Sequence, residues 1–195
     1  MQAVQLFYLS HGFSAWESLP TRQFSFHQTK PSRDQEKSEE EIEKFLDFVD
    51  ESLSILSQYK VIVENFELKM FMCHCNEYTS RVDEWMSLLS RNCVKVLDID
   101  FTGSIFSDTR KLFYSLPQTT FFIKSLVELR LKGCRFGKDI LGDNVNFVSM
   151  RDLHLESASL DEQTVRTVEK LVNSCPQLEK FSLESDTDVG LFSIS

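Results

Sequence analysis

The sequence has few glycines and prolines, no long apolar run and no excess of basic residues. Six glycines and four prolines in 195 residues leave no glycine-rich phosphate-binding loop and argue against a low-complexity chain. No apolar stretch approaches the roughly 20 residues of a membrane-spanning helix. The start, MQAVQLFYLSHGFSAW, lacks the basic region of a signal peptide. We therefore expect no membrane association.

The sequence also lacks a net positive charge and an even number of cysteines. The net charge is -9, and a protein this acidic is not expected to bind nucleic acid. Residues 34–51 carry most of that charge, with nine acids against two bases. Five cysteines make an odd number and no N-glycosylation sequon occurs. Both facts predict a reducing compartment, the cytoplasm or the nucleus.

Three segments have helical periodicity, namely residues 38–59, 79–93 and 159–175. Each opens with a serine three residues before an acid, which resembles a capping box. The acidic run then has a simple explanation as the solvated face of the first helix. The predicted capping pairs are Ser38 with Glu41, Ser80 with Asp83, and Ser159 with Glu162. The predicted apolar faces are Ile42, Phe45, Leu46, Val49, Leu53 and Leu56; Val82, Trp85, Met86 and Leu89; and Val165, Val168, Leu171 and Val172.

Five short segments repeat one template: an apolar residue, two residues, an apolar residue, one residue, an apolar residue. Successive starts are 31, 32, 24 and 28 residues apart, which is typical of leucine-rich repeats. Each repeat would supply a short strand whose last two apolar residues point into a shared core. The matches are Val63-Phe66-Leu68, Val94-Leu97-Ile99, Leu126-Leu129-Leu131, Met150-Leu153-Leu155 and Leu178-Phe181-Leu183. The sequence thus predicts an α/β fold, a leucine-rich-repeat solenoid of short parallel strands plus helices.

Two segments carry a resemblance to a known family. LPQTTF…KSLVELRLKGC and VNSCPQLEKFSLES resemble the plant F-box/leucine-rich-repeat proteins, including those that end in an FBD domain, and the resemblance spans residues 5–186. In addition, LSHGFSAWESLP resembles the tail of an F-box, whose front helices are absent from this sequence. The positions that match this tail and would touch an adaptor are Leu9, Ser10, Trp16, Leu19 and Pro20.

The resemblance implies the substrate-recognition subunit of an SCF-type E3 ubiquitin ligase. Such a subunit docks on a Skp adaptor of the cullin complex and holds a protein target, with no catalytic residue or cofactor of its own. The alternative is a stand-alone binding domain that cannot join a ligase. The implied domains are an F-box remnant or N-terminal cap at 1–27, forming a short helical appendage, a linker at 28–38, and the repeats at 39–195.

The resemblance also makes the concave face of the sheet a binding surface. This face holds the residues that alternate with the buried strand positions. The residues expected to contact a partner are Asp98, Asp100, Glu128, Arg130, Lys132, Asp152, His154 and Glu156. The alternative is a solvated ladder of opposite charges, because Arg130 and Lys132 lie between acidic strands.

A metal-dependent hydrolase is the alternative from a different class. Asp98 and Asp100 share a face with His154 and Glu156, but two strand steps, about 10 Å, separate the pairs. One ion needs ligands near 2 Å. The Cys-His-Cys run at 73–75 lacks the usual spacing of a zinc site. We therefore predict no metal.

The remaining cysteines and histidines also indicate no catalytic site. Cys93, Cys134 and Cys175 fall at turns and helix ends where a small buried residue is expected. His154 has no serine or cysteine at the spacing of a known catalytic motif. The sequence therefore predicts a binding protein rather than an enzyme.

Overall fold

The computed structural model describes residues 21–25, 35–70, 75–101, 114–135, 141, 145, 147–156, 162–184 and 192–194. Helices and short strands alternate within these ranges, and none of the helices found there combines the length and apolarity that crossing a bilayer would need. In chain order the elements are β1 (Thr21–Ser25), α1 (Gln35–Gln58), β2 (Asn65–Lys69), α2 (Cys75–Leu89), β3 (Val96–Asp100), β4 (Tyr114–Ser115), a 3-10 helix (Gln118–Phe122), β5 (Glu128–Lys132), β6 (Cys134–Arg135), β7 (Asp152–Glu156), α3 (Glu162–Asn173), β8 (Lys180–Glu184) and β9 (Phe192–Ile194).

Seven strands form one sheet in the order β1-β2-β3-β5-β7-β8-β9. The first six are parallel to their neighbours, and β9 runs antiparallel to β8. Parallel neighbours need a crossover connection, and α1, α2 and α3 supply three of these crossovers. The strands β4 and β6 form a separate parallel pair. The predicted α/β class with a parallel sheet is confirmed.

The apolar template of the sequence marks the core of the sheet. Its last two positions are buried on four strands, with at most 2 % of each side chain exposed: Phe66, Leu68, Leu97, Ile99, Leu129, Leu131, Leu153 and Leu155. Its first position is also buried at Val63, Val94, Leu126 and Met150. On β8, by contrast, Phe181 and Leu183 are only partly buried. The core-facing side chains are therefore fully buried from β2 to β7 and less buried at β8.

One backbone hydrogen-bond pattern recurs between successive strands. The residue immediately before a strand accepts, through its carbonyl oxygen, two N–H groups from the chain entering the next strand. Glu64 accepts from Lys95 and Val96 at 2.7 and 3.0 Å, and Lys95 accepts from Val127 and Glu128 at 2.8 and 3.0 Å. In the same way, Val127 accepts from Arg151 and Asp152, and Arg151 accepts from Glu179 and Lys180. The repeats recognised in the sequence are thus equivalent in backbone geometry.

An arginine joins the first two helices. The Arg81 guanidinium on α2 donates to Glu43 at 2.9 Å, to Asp47 at 2.8 Å and, through Nε, to Asp50 at 2.8 Å. The indole N–H of Trp85 donates to the same Asp50 carboxylate. Part of the acidic run therefore binds the neighbouring helix and is not merely a solvated face. The apolar periodicity of the sequence does not predict this contact, although the acids at 43, 47 and 50 follow helical spacing.

The helix starts differ from the prediction. Helix α1 begins at Gln35 and α2 at Cys75, so Ser38 and Ser80 lie inside the helices and do not cap them. Helix α2 extends because Tyr78, one turn before Val82, is buried and prolongs its apolar face. The third proposed cap, Ser159, lies outside the described residues.

The buried face of α3 also differs from the prediction. Val165 is 40 % exposed, whereas Thr164 and Thr167 are buried beside Val168 and Leu171. These four buried positions follow the i, i+3, i+4, i+7 spacing of one helix face. The prediction failed at Val165 because it treated the threonines as polar, although each side chain carries a methyl group.

Both ends of the sheet hold strands that sequence analysis did not predict. The segment Thr21–Ser25, assigned to the appendage at 1–27, is a strand paired with β2, so its described part is not helical. The segment Phe192–Ile194 pairs with β8. The apolar template could not find β1 because Arg22, which pairs with Phe66, occupies an apolar position of the template. Strand β9 has three residues, too few to show the template. The predicted domain limits at 27 and 38 otherwise stay predictions.

The described cysteine side chains are of two kinds. Cys134 and Cys175 are buried, and burial raises the pKa of both thiols, that of Cys175 to about 11. Both are therefore protonated at neutral pH and unreactive. Cys93 is exposed, contrary to the prediction, because the buried position of this turn is taken by Val94.

Candidate functional site

The polar face is the side of the sheet that alternates with the core. It consists of Asn65, Glu67, Lys69, Val96, Asp98, Asp100, Glu128, Arg130, Lys132, Asp152, His154, Glu156, Lys180, Ser182 and Glu184, all half-buried or exposed. The in-register pairing of five parallel strands aligns them in three rows across the sheet. The eight residues that the sequence assigned to a binding surface are therefore brought together on one face.

The middle row runs across the centre of the polar face. In strand order it consists of Glu67, Asp98, Arg130, His154 and Ser182. Neighbouring members stand about 5 Å apart, one strand spacing. The row changes from acidic at β2 and β3 to basic at β5, so a partner would meet both signs of charge within a few ångströms.

Every lysine and arginine of the polar face has a carboxylate close by. Lys132 Nζ lies 2.5 Å from Glu156 Oε2, and Lys180 Nζ lies 3.3 Å from Asp152 Oδ1. Lys69 pairs with Glu67 of its own strand. These contacts fit the alternative of a charge ladder, in which exposed pairs stabilise the fold only weakly.

Among the ion-paired side chains of the middle row, Arg130 is the most exposed. Its side chain is 51 % exposed, while its partners Glu128 and Asp98 are 20 % and 15 % exposed. The guanidinium contacts Glu128 and lies 3.8 Å from Asp98 Oδ2. Because a guanidinium has five donors in a fixed fork, two carboxylates do not exhaust its capacity. Arg130 can therefore still bind an acceptor from a partner.

Among the ion-paired carboxylates of the polar face, Asp98 is the least exposed. Its Oδ1 atom is buried and has no hydrogen-bond partner among the residues that the structure describes. Burial raises the pKa of this carboxyl and outweighs the nearby positive charges of Lys69 and Arg130, which lower it. The charged form of Asp98 is thus poorly solvated and poorly compensated in the free protein.

His154 bridges two strands. Its Nδ1 atom is hydrogen-bonded to the Ser182 hydroxyl on β8, and its Nε2 atom lies 3.5 Å from Glu156 Oε2. Sequence spacing did not reveal this contact with a serine, because strand register joins residues 28 positions apart. Ser182 lies mid-strand, paired with β7 and β9, where the backbone N–H groups serve the sheet rather than an oxyanion hole.

The acidic and histidine pairs considered for a metal lie on separate strands. Asp98 and Asp100 are on β3, His154 and Glu156 are on β7, and β5 with its basic side chains runs between them. Within the part of the chain that the structure describes, no group of three or more His, Cys, Asp or Glu could hold a metal ion. Cys73 and His74, and the side chain of Cys75, lie outside it.

The residues proposed to touch an adaptor cannot be compared with the structure. Leu9, Ser10, Trp16, Leu19 and Pro20 all precede β1 and lie outside the described residues. Their role therefore stays a prediction.

Comparison with known proteins agrees with the geometry of the repeats. Residues 82–195 match the family described as the LRR repeats of FBD-associated F-box protein At5g56370. The match covers the second half of α2 and every strand from β3 to β9. No solved structure matches the chain.

Curated relatives from Arabidopsis thaliana cover a similar part of the chain. FBD-associated F-box protein At5g56370 is 34% identical over 145 residues, 74% of this chain and 31% of that protein. The "Putative F-box/LRR-repeat protein At5g41840" is 28% identical over 144 residues, 72% of this chain and 25% of that protein. The chain thus spans between a quarter and a third of the length of these relatives. It belongs to the family of leucine-rich repeats found in the plant FBD-associated F-box proteins.

Proposed function

We propose that this protein is the target-recognition part of an F-box protein of the SCF ubiquitin-ligase kind. The repeats stack as a solenoid, and the polar face is its concave, partner-binding side. One observation carries this proposal: strand register gathers the eight predicted contact residues on one face, and Arg130 among them stays half-exposed while its partners are enclosed. An arginine surrounded by enclosed side chains is typical of the residues that contribute most of the binding free energy at protein interfaces.

The proposed contact residues are those predicted from the sequence, with Arg130 at the centre. Asp98 and Asp100 lie on one side of it, and Lys132 shares its strand. The protein contributes binding only, and ubiquitin transfer would belong to the other ligase subunits. This is why the geometry around His154, a histidine with a serine but no oxyanion site, supports a binding role better than hydrolysis.

Charge reversal at Arg130 tests the binding face. We would express the tagged chain in plant cells and quantify by mass spectrometry the proteins that co-purify with the wild type, Arg130→Glu and Arg151→Glu. Arg151 is the matched control, because it is 54 % exposed and ion-paired with Glu179 but lies outside the strands. We expect Arg130→Glu to lose partners that Arg151→Glu keeps, with both variants folded by circular dichroism. Identical partner sets for all three proteins would contradict the proposal.

Co-expression with a Skp adaptor tests the ligase role separately. A stable complex at micromolar concentration that Trp16→Ala or Leu9→Ala weakens would support docking through the F-box-like tail. If no complex forms while Arg130-dependent partners persist, the protein is a stand-alone binding domain. The same tagged chain would show whether it resides in the cytoplasm or the nucleus, as we propose.

A further inference from the structure

The polar face has more acids than bases. Seven of its fifteen residues are Asp or Glu, and four are Lys or Arg. Each base pairs with a different acid: Lys69 with Glu67, Arg130 with Glu128, Lys132 with Glu156, and Lys180 with Asp152. The remaining acids are Asp98, Asp100 and Glu184. Asp100 lies in register between Lys69 and Lys132. A partner of complementary charge would therefore bring positive charge to this face.

Asp98 is the acid of the middle row that lacks a hydrogen-bond donor. Its in-register neighbours are Glu67 on β2 and Arg130 on β5. The Arg130 guanidinium lies 3.8 Å from Asp98 Oδ2, too far for a hydrogen bond, and contacts Glu128 instead. The Oδ1 atom has no hydrogen-bond partner among the described residues either. A donor from a partner would thus meet a carboxylate whose hydrogen-bonding capacity is unused.

The enclosure of Asp98 increases what such a donor would contribute. Its side chain is 15 % exposed and Oδ1 is buried, so a donor from outside the protein would reach Oδ2. Burial holds the pKa of this carboxyl above its usual range, because the charged form is poorly solvated. A hydrogen bond from a cation favours the charged form, and water screens it less at an enclosed site.

Val96 provides an apolar contact beside Asp98. It is the one apolar residue among the fifteen of the polar face, and it is half-buried. It precedes Asp98 by two residues on β3, so the two side chains lie on the same face about 6–7 Å apart. Lysine and arginine side chains commonly pack their aliphatic stems on apolar surface while the charged end reaches a polar group. Val96 and Asp98 together suit a side chain of this kind better than a small neutral donor.

We propose that the target of the polar face inserts a lysine or arginine whose stem packs on Val96 and whose charged group donates to Asp98. Arg130, one strand spacing away, binds an acceptor of the same target. Its positive charge does not prevent this, because Glu128 pairs with it. The partner is therefore a protein with a basic contact segment. This inference rests on the proposed function, since it names the chemistry of the partner that the same face would bind.

A random peptide library displayed on phage provides the probe. Peptides are selected in physiological salt, which screens diffuse attraction to an acidic protein, on the wild type, Asp98→Asn and Glu184→Gln. Glu184→Gln is the matched control, because it removes the same charge from the same face but on β8. We expect lysine and arginine to be enriched over the unselected library by the wild type and by Glu184→Gln, and not by Asp98→Asn.

A double-mutant cycle on one selected peptide measures the contact itself. Replacing the basic residue of the peptide by methionine keeps an apolar stem and removes the charge. We expect this replacement to weaken binding at least about tenfold for the wild type and for Glu184→Gln. The same replacement should have far less effect on binding to Asp98→Asn, which has already lost the carboxylate.

The Arg130→Glu variant separates this inference from the proposed function. Peptides that lose binding to Arg130→Glu, but are not enriched in basic residues or show no coupling to Asp98, would overturn the inference and leave the proposed function standing. Peptides that bind Arg130→Glu as tightly as the wild type would contradict both. A wild type that selects no peptide also overturns the inference, and co-purification with Arg130→Glu then decides the proposed function alone.

Discussion

Asp98 shows at the scale of one residue that the polar face is not optimised for stability. A buried carboxylate oxygen without a hydrogen-bond partner costs free energy that an apolar or neutral side chain would not. Proteins commonly keep such costs where binding requires them. The position of Asp98 beside Arg130, in the middle row, therefore supports a contact there with a partner that can donate a hydrogen bond.

We predict that Asp98→Asn makes the free protein more stable at pH 7. Because the pKa of Asp98 is raised, the folded protein binds the proton of this carboxyl more tightly than the unfolded chain does. The contribution of that proton to stability is complete below the ordinary Asp pKa and is lost as pH rises through the pKa of the folded state. The difference in free energy of unfolding between variant and wild type should thus shrink as pH falls toward 4. Urea unfolding at several pH values measures it.

Asp152→Asn is the control for this prediction. Asp152 lies on the same face and is ion-paired with Lys180 at 3.3 Å. The variant should gain no stability at pH 7, since it only loses an exposed ion pair. If Asp98→Asn is no more stable than Asp152→Asn, the enclosure of Asp98 has no energetic consequence.

Lys60 adds a second free-energy cost, which arises from its backbone conformation. It has a φ of 53° at the end of α1, where Val61 N–H bonds to Leu56 O and Lys60 N–H bonds to Ser57 O. These two bonds form the usual helix-ending motif, whose left-handed position favours glycine. We predict that Lys60→Gly raises the free energy of unfolding by about 0.5–1 kcal/mol. Lys60→Ala, which keeps the Cβ atom, should give no such gain in thermal unfolding.

At the scale of elements, strands were easier to predict than helix ends. A strand that is buried on one face repeats every two residues, and a one-residue slip would expose its whole core side. The position of β5, for example, follows from Leu129 and Leu131 alone. Helix starts depend on contacts with other elements. Helix α2 begins at Cys75 rather than near Ser80 because Tyr78 is buried, which no capping pattern reveals.

The contact between α1 and α2 predicts a strong effect of one substitution. Replacing Arg81 by alanine removes charge-assisted hydrogen bonds and leaves three carboxylates facing one another. We expect the free energy of unfolding to fall by about 1–3 kcal/mol. Lys44→Ala is the control, since Lys44 forms an exposed pair with Glu40 and should change stability by no more than about 0.5 kcal/mol. Equal effects in chemical unfolding would mean that Arg81 is an ordinary surface charge.

At the scale of the whole molecule, repetition explains what the sequence could predict. Five copies of one template determine a parallel sheet, its register and its polar face, because equivalent residues must stack. The ends of the array break the repetition, so β1 and β9 were missed. The ion pairs of the face were also beyond prediction in detail, since the choice of Arg130 between Glu128 and Asp98 depends on side-chain conformation.

Stability should therefore fall from the middle of the array toward β8. The core side of β5 is sealed, with Leu129 and Leu131 at most 2 % exposed, whereas Phe181 and Leu183 of β8 are partly exposed. Segments with fewer buried contacts open more often. We predict that amides of 128–132 exchange with deuterium at least about tenfold more slowly than those of 180–184, since tenfold corresponds to about 1.4 kcal/mol. After correction for intrinsic rates, equal protection of the two strands in native-state exchange would show that the array opens as one unit.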